Sequence, residues 1–128
     1  MSLKEIIKIM VVDDMSVSRG LIIQPLESAG VTNITYMKDG KSAFDKLVAS
    51  PVHLVISDYN MPGMDGLELL KAMRSNPQTQ KVGFILISGS EDADVVKKGR
   101  ELGMNNYLKK PFSDQSLLDC ITAVVGPL

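Results

Sequence analysis

The sequence predicts an α/β domain in which five parallel β-strands alternate with five helices in a three-layer sandwich. Short runs rich in β-branched residues alternate along the chain with segments of helical periodicity, which is the pattern of repeated βα units. Three of these runs (IIKIMVV, VHLVIS and VGFILIS) are almost continuously apolar. That composition is typical of central parallel strands that helices cover on both faces.

Each predicted element has its own run or its own boundary signal. The strands are expected over Ile6–Val12, Ile34–Met37, Val52–Ser57, Val82–Ser88 and Asn106–Lys109. The first four helices are expected over Ser16–Ala29, Lys41–Ala49, Gly66–Ser75 and Asp92–Leu102. The last helix is expected to begin after Ser113, whose hydroxyl suits an N-cap position.

Two of these helices end at a glycine, and one contains a proline. Gly30 and Gly103 follow the first and fourth helices and suit the left-handed residue that commonly terminates a helix. Pro25 lies inside the first helix, where it removes a hydrogen bond and crowds the preceding turn. We therefore expect a kink or an early break at Pro25.

The composition is that of one globular domain spanning residues 1–128. A chain of 128 residues with a net charge of −1 can bury a core, and its charge favours neither nucleic acid nor a membrane surface as a partner. Its single cysteine, Cys120, excludes an intramolecular disulfide and a cysteine-built zinc site. No apolar stretch approaches the roughly 20 residues that span a bilayer. We expect a cytoplasmic monomer.

Four of the five predicted strands end in polar or charged residues. Asp13 and Asp14 follow the first strand, Asp58 the third, Ser88 ends the fourth, and Lys110 follows the fifth. Any one of them alone would suit a cap or a loop equally well. Because parallel strands present their carboxyl ends at one edge of a sheet, where ligands bind in such folds, the set together favours a functional site.

Clustered carboxylates need compensating positive charge at neutral pH. Lys110 is one candidate, and a hard divalent cation is the other, since the ligands are oxygens without histidine or thiol. An incomplete carboxylate set without the EF-hand spacing suits Mg²⁺ better than Ca²⁺. Beside such an ion, the Asp58 carboxylate could attack phosphorus to form an aspartyl phosphate, a charge-stabilised phosphoryl transfer.

Four motifs carry a family resemblance over essentially the whole chain. The segments DD (13–14), SDYNMPGMDGLELL (57–70), SGS (88–90) and YLKKPF (107–112) resemble the receiver domain of two-component response regulators, and the single-domain chemotaxis type is the nearest likeness. The resemblance implies a flavodoxin-like fold with the strand order 2-1-3-4-5.

The resemblance also implies a phosphorylation site. Asp58 would be the phosphoacceptor. Asp14 and Asp58 would bind Mg²⁺ directly, with the backbone carbonyl of Asn60 as a third ligand and Asp13 acting mainly through water. Lys110 would neutralise the phosphoryl oxygens, and its bond to the following proline, Pro111, would be cis.

Further residues would transmit the signal or tune its lifetime. Ser88 would bond a phosphoryl oxygen and move towards it, and Tyr107 would rotate into the space that Ser88 leaves. Asn60 and Ser90 would influence the rate of dephosphorylation. The outcome would be a population shift that alters the surface of the fourth helix, the fifth strand and the last helix.

The implied function is a signalling switch that catalyses only its own phosphorylation and slow dephosphorylation. The phosphoryl group would come from a histidine kinase or a histidine phosphotransfer domain, and the output would be a protein partner, with the flagellar motor switch as the first expectation. A phosphorelay intermediate or a phosphate sink is the alternative within this family.

Other function classes fit the residues less well. A phosphohydrolase of the haloacid dehalogenase type needs an aspartate two residues after the nucleophile, where this chain has Asn60. A flavin carrier needs a phosphate loop after the first strand, where Asp13 and Asp14 would repel phosphate. A receiver that has lost its phosphorylation site and serves only for docking is disfavoured, because this chain retains a suitable residue at each key position of the site. We interpret His53 and Cys120 as structural residues outside the site.

Overall fold

The computed structural model describes residues 2–89 and 93–128, which form a five-stranded parallel sheet between two layers of helices. The strands are β1 (Lys8–Val12), β2 (Asn33–Met37), β3 (Leu54–Asp58), β4 (Gly83–Ser88) and β5 (Asn106–Lys109). Their order across the sheet is β2-β1-β3-β4-β5. Both the predicted fold class and the order implied by the resemblance are confirmed.

Within the described residues, six helices precede, connect or follow these strands. They are α1 (Leu3–Ile6), α2 (Ser16–Ser28), α3 (Gly40–Ala49), α4 (Gly66–Arg74), α5 (Ala93–Leu102) and α6 (Asp114–Val125). Helices α2 to α6 correspond to the five predicted helices. Where both can be compared, their boundaries lie within one or two residues of the expected ones, which is the ordinary uncertainty of helix ends. The expected start of the fourth helix, Asp92, lies outside the described residues.

Helix α1 is absent from the sequence prediction, which placed the start of a strand at Ile6. A four-residue helix is too short to produce a periodic pattern, so no local signal separates it from the apolar run that follows. It is held from outside: the Lys4 side chain lies against Gly30, and Leu3 packs on the core beneath the sheet. The strand therefore starts only at Lys8.

Helix α2 continues through Pro25 to Ser28, so of the two outcomes expected at this proline, a kink or an early break, the early break does not occur. The Pro25 carbonyl still accepts a helical hydrogen bond, since the Ala29 amide donates to it at 3.0 Å. Ile22 and Leu26 are fully buried on the inner face of this helix. Their burial, at roughly 2 kcal/mol per side chain, offsets much of the cost of the proline.

The helix ends follow local chemistry as predicted. Gly30 and Gly103 both have a φ of +95° and terminate α2 and α5. Ser113 caps α6, accepting from the Ser116 amide at 3.1 Å while the Ser116 hydroxyl accepts from the Ser113 amide. None of the helices among the described residues is long and apolar enough to cross a membrane.

Two hydrophobic clusters lie on opposite faces of the sheet. Strand β1 shows the division: Met10 and Val12 face the cluster covered by α3, α4 and α5, whereas Ile9 and Val11 face the cluster covered by α2 and α6. All four side chains are fully buried. With both faces of the strands covered, polar side chains become accessible where the strands end, and this arrangement positions the candidate site.

Candidate functional site

The register of the sheet brings the predicted residues to one edge. Asp58, the last residue of β3, pairs with Ile87 of β4, and Ser88 pairs with Lys109 of β5. The Lys110 amide then donates to the Ser88 carbonyl at 2.9 Å, which extends the pairing by one residue. Asp13 directly follows β1, the other neighbour of β3.

Asp13, Asp14 and Asp58 form a carboxylate cluster at this edge. One oxygen from each lies within 4.8 Å of the others. Asp13 is fully buried, Asp58 is 7% exposed, and Asp14 is exposed. Three carboxylates converging at the end of a sheet, with one open to solvent, fit a small hard cation that retains water molecules, as Mg²⁺ does.

Lys110 supplies a positive charge within this cluster. Its Nζ lies 3.0 Å from Asp58 Oδ1 and 3.9 Å from Asp13 Oδ2. The Lys110 side chain is 31% exposed, so the ammonium is partly withdrawn from water while it contacts Asp58. The peptide bond between Lys110 and Pro111 is cis, as the resemblance implied.

Opposing effects act on the pKa of Asp58, and their net result is an upward shift. Burial raises the pKa of the Asp58 carboxyl above its ordinary value, while the hydrogen bond and the charge of Lys110 act to lower it. The negative charges of Asp13 and Asp14 add to the upward shift in the pKa of Asp58. Additional positive charge at this cluster would therefore stabilise the carboxylate form.

Asp13 is held by the start of α2. Its Oδ1 accepts from the Met15 amide at 3.0 Å, and its Oδ2 accepts from the Ser18 hydroxyl. Its backbone carbonyl accepts from Arg19 Nη1 at 3.0 Å, and the Arg19 guanidinium lies 4.7 Å from the centre of the Tyr36 ring. Both Asp13 oxygens are thus already engaged by the chain.

Ser18 is a member of the site that the sequence analysis missed. Its hydroxyl accepts from Lys110 Nζ at 2.9 Å in addition to donating to Asp13. A signal for it exists in the helical periodicity: Ser18 lies four and eight residues before Ile22 and Leu26, on the inward face of α2. The nearby Ser16 lies on the exposed side of the same helix.

The loop after Asp58 turns tightly beneath it. The Gly66 amide donates to the Tyr59 carbonyl at 2.9 Å, and a Cβ at Gly66 would lie 2.6 Å from the Asp58 carbonyl oxygen. Asp65 caps α4 by accepting from the Glu68 amide at 2.8 Å. Asn60 lies exposed in this loop, two residues after Asp58.

The predicted switch residues lie on β4 and β5, on the opposite side of β3 from β1. Ser88 is 1% exposed and ends β4. Tyr107 is half-buried in β5 and packs against the cluster beneath α3, α4 and α5. Ser90, the residue expected to tune dephosphorylation together with Asn60, lies outside the described residues.

His53 and Cys120 lie away from the carboxylate cluster. His53 precedes β3, at the opposite end of the strand from Asp58, and its Nδ1 accepts from the Lys8 amide at 2.9 Å. Cys120 is 8% exposed among the apolar side chains that α6 packs against the sheet, and burial raises the pKa of its thiol to about 11. Both residues have structural contacts, in agreement with their interpretation from the sequence.

The sequence matches the model of the response regulator receiver domain over residues 9–122. Two curated proteins illustrate its relatives. The chain is 42% identical to the probable chemotaxis protein CheY of Rhizobium etli over 128 residues, which is 100% of this chain and 99% of that protein. It is 32% identical to the chemotaxis protein CheY of Pseudomonas aeruginosa, over 91% of this chain and 94% of that protein.

Solved structures show the same similarity in three dimensions. The chemotaxis protein CheY4 of Vibrio cholerae superposes with a TM-score of 0.86 at 28% identity, covering 94% of this chain and 99% of that one. A putative response regulator from Chloroflexus aurantiacus gives a TM-score of 0.89 at 25% identity, covering 96% of this chain and 100% of that one.

Proposed function

Because the chain belongs to the response regulator receiver domain family and has chemotaxis proteins as full-length relatives, we propose that it is a phosphorylation-activated switch with Asp58 as its phosphoacceptor. The observation that carries this assignment is the contact between Lys110 Nζ and Asp58 Oδ1 at 3.0 Å, inside a cluster of three carboxylates. A nucleophilic carboxylate with an ammonium beside it is arranged for reaction with an electrophilic, anionic phosphoryl group.

In the proposed reaction, an Asp58 carboxylate oxygen forms a bond to phosphorus while the bond from phosphorus to the donor's leaving group breaks. Lys110 neutralises charge on the phosphoryl oxygens, and Ser88 donates a hydrogen bond to one of them. The buried position of Asp58, 7% exposed, limits the access of water to the resulting acyl phosphate.

Mg²⁺ is the proposed cofactor, held by Asp14 and Asp58 directly, by the Asn60 backbone carbonyl, and by Asp13 through water. When bound, it would supply positive charge for the phosphoryl oxygens. Support for this division of roles comes from Asp13, whose two oxygens already accept hydrogen bonds from Met15 and Ser18. Asp14 is exposed and is therefore the more accessible ligand.

The proposed donor is a histidine kinase or a histidine phosphotransfer domain, and the proposed output is a protein partner in the cytoplasm. Chemotaxis is the favoured setting because the relatives of full length are named as chemotaxis proteins. We assign the output surface to α5, β5 and α6. Tyr107 lies on β5, which pairs with β4, the strand that Ser88 ends, so a movement of Ser88 would be transmitted to Tyr107 through these neighbouring strands. The flagellar motor switch is the first candidate partner.

The test is incubation of the single chain, residues 1–128, with Mg²⁺ and acetyl phosphate or carbamoyl phosphate, followed by intact-mass spectrometry. We expect one adduct of about 80 Da, the mass of a phosphoryl group. Asp58→Asn should abolish the adduct, and EDTA should prevent its formation. An adduct that survives Asp58→Asn would place the phosphoryl group elsewhere. If the phosphoryl group is on Asp58, a pull-down that compares phosphorylated with unphosphorylated protein would identify the partner.

A further inference from the structure

We propose that Ser18 is a positioning residue that holds the Lys110 ammonium against the Asp58 carboxylate, an inference that rests on the proposed role of Asp58. Unlike Asp58, Ser88 and Lys110, Ser18 does not lie at the end of a strand. It lies in the first turn of α2, whose inner face packs on the opposite side of the sheet from Tyr107. It therefore links the site to a different layer of the fold.

The bonds of the ammonium define what Ser18 does. Among the residues that the structure describes, Lys110 Nζ contacts two acceptors at hydrogen-bond distance, Asp58 Oδ1 at 3.0 Å and Ser18 Oγ at 2.9 Å. Asp13 Oδ2, at 3.9 Å, is too distant for a direct hydrogen bond. A lysine side chain is a flexible stem with a rotating point charge, so a single ion pair orients it poorly. The second acceptor restricts the ammonium to one direction.

The orientation of the Ser18 hydroxyl is itself determined by Asp13. A hydroxyl has one proton to donate, and that of Ser18 is donated to Asp13 Oδ2. The lone pairs of Ser18 Oγ are then available to Lys110. The chain of donors runs from Lys110 through Ser18 to Asp13, and each bond polarises the next in this partly buried setting. Asp13 thus acts on Lys110 through Ser18.

Two sets of substitutions separate this role from a structural one. Ser18→Ala removes the hydroxyl, and Ser18→Thr restores it. Ser18→Thr and Ser18→Val form a second pair, nearly equal in shape and different in the hydroxyl, which decides the question even if Ser18→Ala does not fold. Ser16→Ala is the matched control, because Ser16 lies exposed on the same helix. Unfolding midpoints establish that each variant is folded.

The first measurement needs neither metal nor phosphoryl donor. This measurement is NMR spectroscopy of ¹⁵N-labelled protein at low temperature. The protons of an ammonium held by two acceptors should exchange with water slowly enough to give a resolved signal. The signal is assigned to Lys110 by its loss in Lys110→Met. We expect the signal to vanish in Ser18→Ala and Ser18→Val and to persist in Ser18→Thr and Ser16→Ala. A wild-type chain without the signal, or a signal unchanged in Ser18→Ala and Ser18→Val, would overturn the proposal.

The second measurement is the rate of phosphorylation over a range of acetyl phosphate concentrations at saturating Mg²⁺. We expect the maximal rate constant to fall about tenfold in Ser18→Ala and Ser18→Val, as for a lost hydrogen bond to a charged group, with the half-saturating donor concentration little changed. Ser18→Thr and Ser16→Ala should remain within about twofold of wild type. If Ser18→Thr is as slow as Ser18→Val, the hydroxyl is irrelevant and the proposal fails.

The two measurements distinguish failure of this inference from failure of the proposed function. A wild-type chain that forms no adduct on Asp58 would contradict the phosphoacceptor role, and the ammonium signal would still decide whether Ser18 holds Lys110. A wild-type chain that is phosphorylated on Asp58 but indifferent to the Ser18 hydroxyl would contradict only the positioning role.

Discussion

Lys110 Nζ lies 3.0 Å from Asp58 Oδ1, and this ion pair joins two strands that are not neighbours in the sheet. Asp58 ends β3 and Lys110 follows β5, so the lysine side chain spans the end of β4 to reach the carboxylate. The contact exists only because all three strands end at the same edge. It places a cation against the one carboxylate that we assign as the nucleophile.

Lys110→Met should slow the formation of the aspartyl phosphate by about 100-fold, the typical effect of removing one preorganised electrostatic partner. The physical reason is that the ammonium of Lys110 would no longer neutralise the negative charge on the phosphoryl oxygens, while Asp58 would remain buried. The measurement is the appearance of the adduct with acetyl phosphate by intact-mass spectrometry. Lys109→Met, which removes the neighbouring exposed lysine, is the control and should retain a rate close to wild type.

Asp14→Asn should weaken Mg²⁺ binding by about tenfold or more, equal to about 1.4 kcal/mol. Asp14 is the exposed member of the carboxylate cluster, and the amide has no negative charge with which to bind the ion. Isothermal titration calorimetry with MgCl₂ gives the dissociation constants. Asp45→Asn removes the same charge from the surface of α3, where Asp45 contacts Lys41, and should leave Mg²⁺ affinity unchanged. Equal losses in both variants would argue for a general charge effect.

Gly66→Ala should destabilise the domain by about 1–3 kcal/mol, because the added Cβ would lie 2.6 Å from the Asp58 carbonyl oxygen and backbone atoms cannot yield easily. Gly63→Ala tests a different cause in the same loop. A Cβ there meets no atom within 4 Å, but Gly63 has a φ of +78°, so we expect a loss of about 1 kcal/mol. Urea denaturation measures both values.

These two variants should also differ in phosphorylation. The backbone that Gly66→Ala displaces carries Asp58, so its adduct should form more slowly even under conditions where the protein is fully folded. Gly63→Ala leaves that contact intact. Equal phosphorylation rates in both variants would show that the close approach of Gly66 matters for folding alone.

Arg74→Lys should lower the free energy of unfolding by about 2 kcal/mol, because a lysine cannot reproduce its several hydrogen bonds. The Arg74 guanidinium donates to the carbonyls of Gly103, Gln80 and Val82 and to Asn105 Oδ1, at distances from 2.7 to 3.2 Å. Burial lowers the pKa of Arg74 below its ordinary value. Chemical denaturation measures the loss.

The position of Arg74 supplies the control. Arg74 joins the end of α4 by hydrogen bonds to the segments that precede β4 and β5. These segments lie at the amino ends of the strands, whereas Asp58 lies at the carboxyl ends. Arg74→Lys should therefore leave the phosphorylation rate unchanged at temperatures well below its unfolding midpoint. Lys71→Met, an exposed change one turn earlier in α4, should alter neither quantity. Slower phosphorylation in folded Arg74→Lys would reveal a coupling between the two ends of the sheet.

Cys120 should react slowly with thiol reagents in the folded protein and should make stability fall at alkaline pH. Burial raises the pKa of its thiol from 9.0 to about 11. The unfolded thiol therefore ionises near pH 9, while the folded one keeps its proton to about pH 11. Since the unfolded state then binds fewer protons, this contribution to stability is intact below pH 9 and is lost as the pH rises towards 11.

The measurement for Cys120 is the free energy of unfolding from pH 8 to pH 11 in wild type and Cys120→Ala. Lysine and tyrosine titrations are common to both proteins, so the difference between the two curves isolates the thiol. We expect the wild-type curve to fall more steeply above pH 9. Parallel curves would contradict a raised thiol pKa, as would fast labelling of the folded protein at pH 8.

The fold class and most of the candidate site could be predicted from the amino-acid sequence alone. Apolar strands alternating with periodic helices specify a parallel sheet because both faces must be covered. In such a sheet the topology places the residues that end or directly follow each strand, so Asp13, Asp58, Ser88 and Lys110 could be assigned from the sequence to the same end of the sheet. The strand order was carried over from the family resemblance.

Features that depend on contacts between distant segments of the chain could be recognised only in the folded structure. Helix α1 is held by the packing of Lys4 and Leu3 and has no periodic signal of its own, and the burial of Ile22 and Leu26 carries α2 past Pro25. Ser18 joins the site through bonds to residues 5 and 92 positions away in the chain. Local patterns record which face of a helix is buried, whereas the partner that a buried polar side chain meets is determined when the layers pack together.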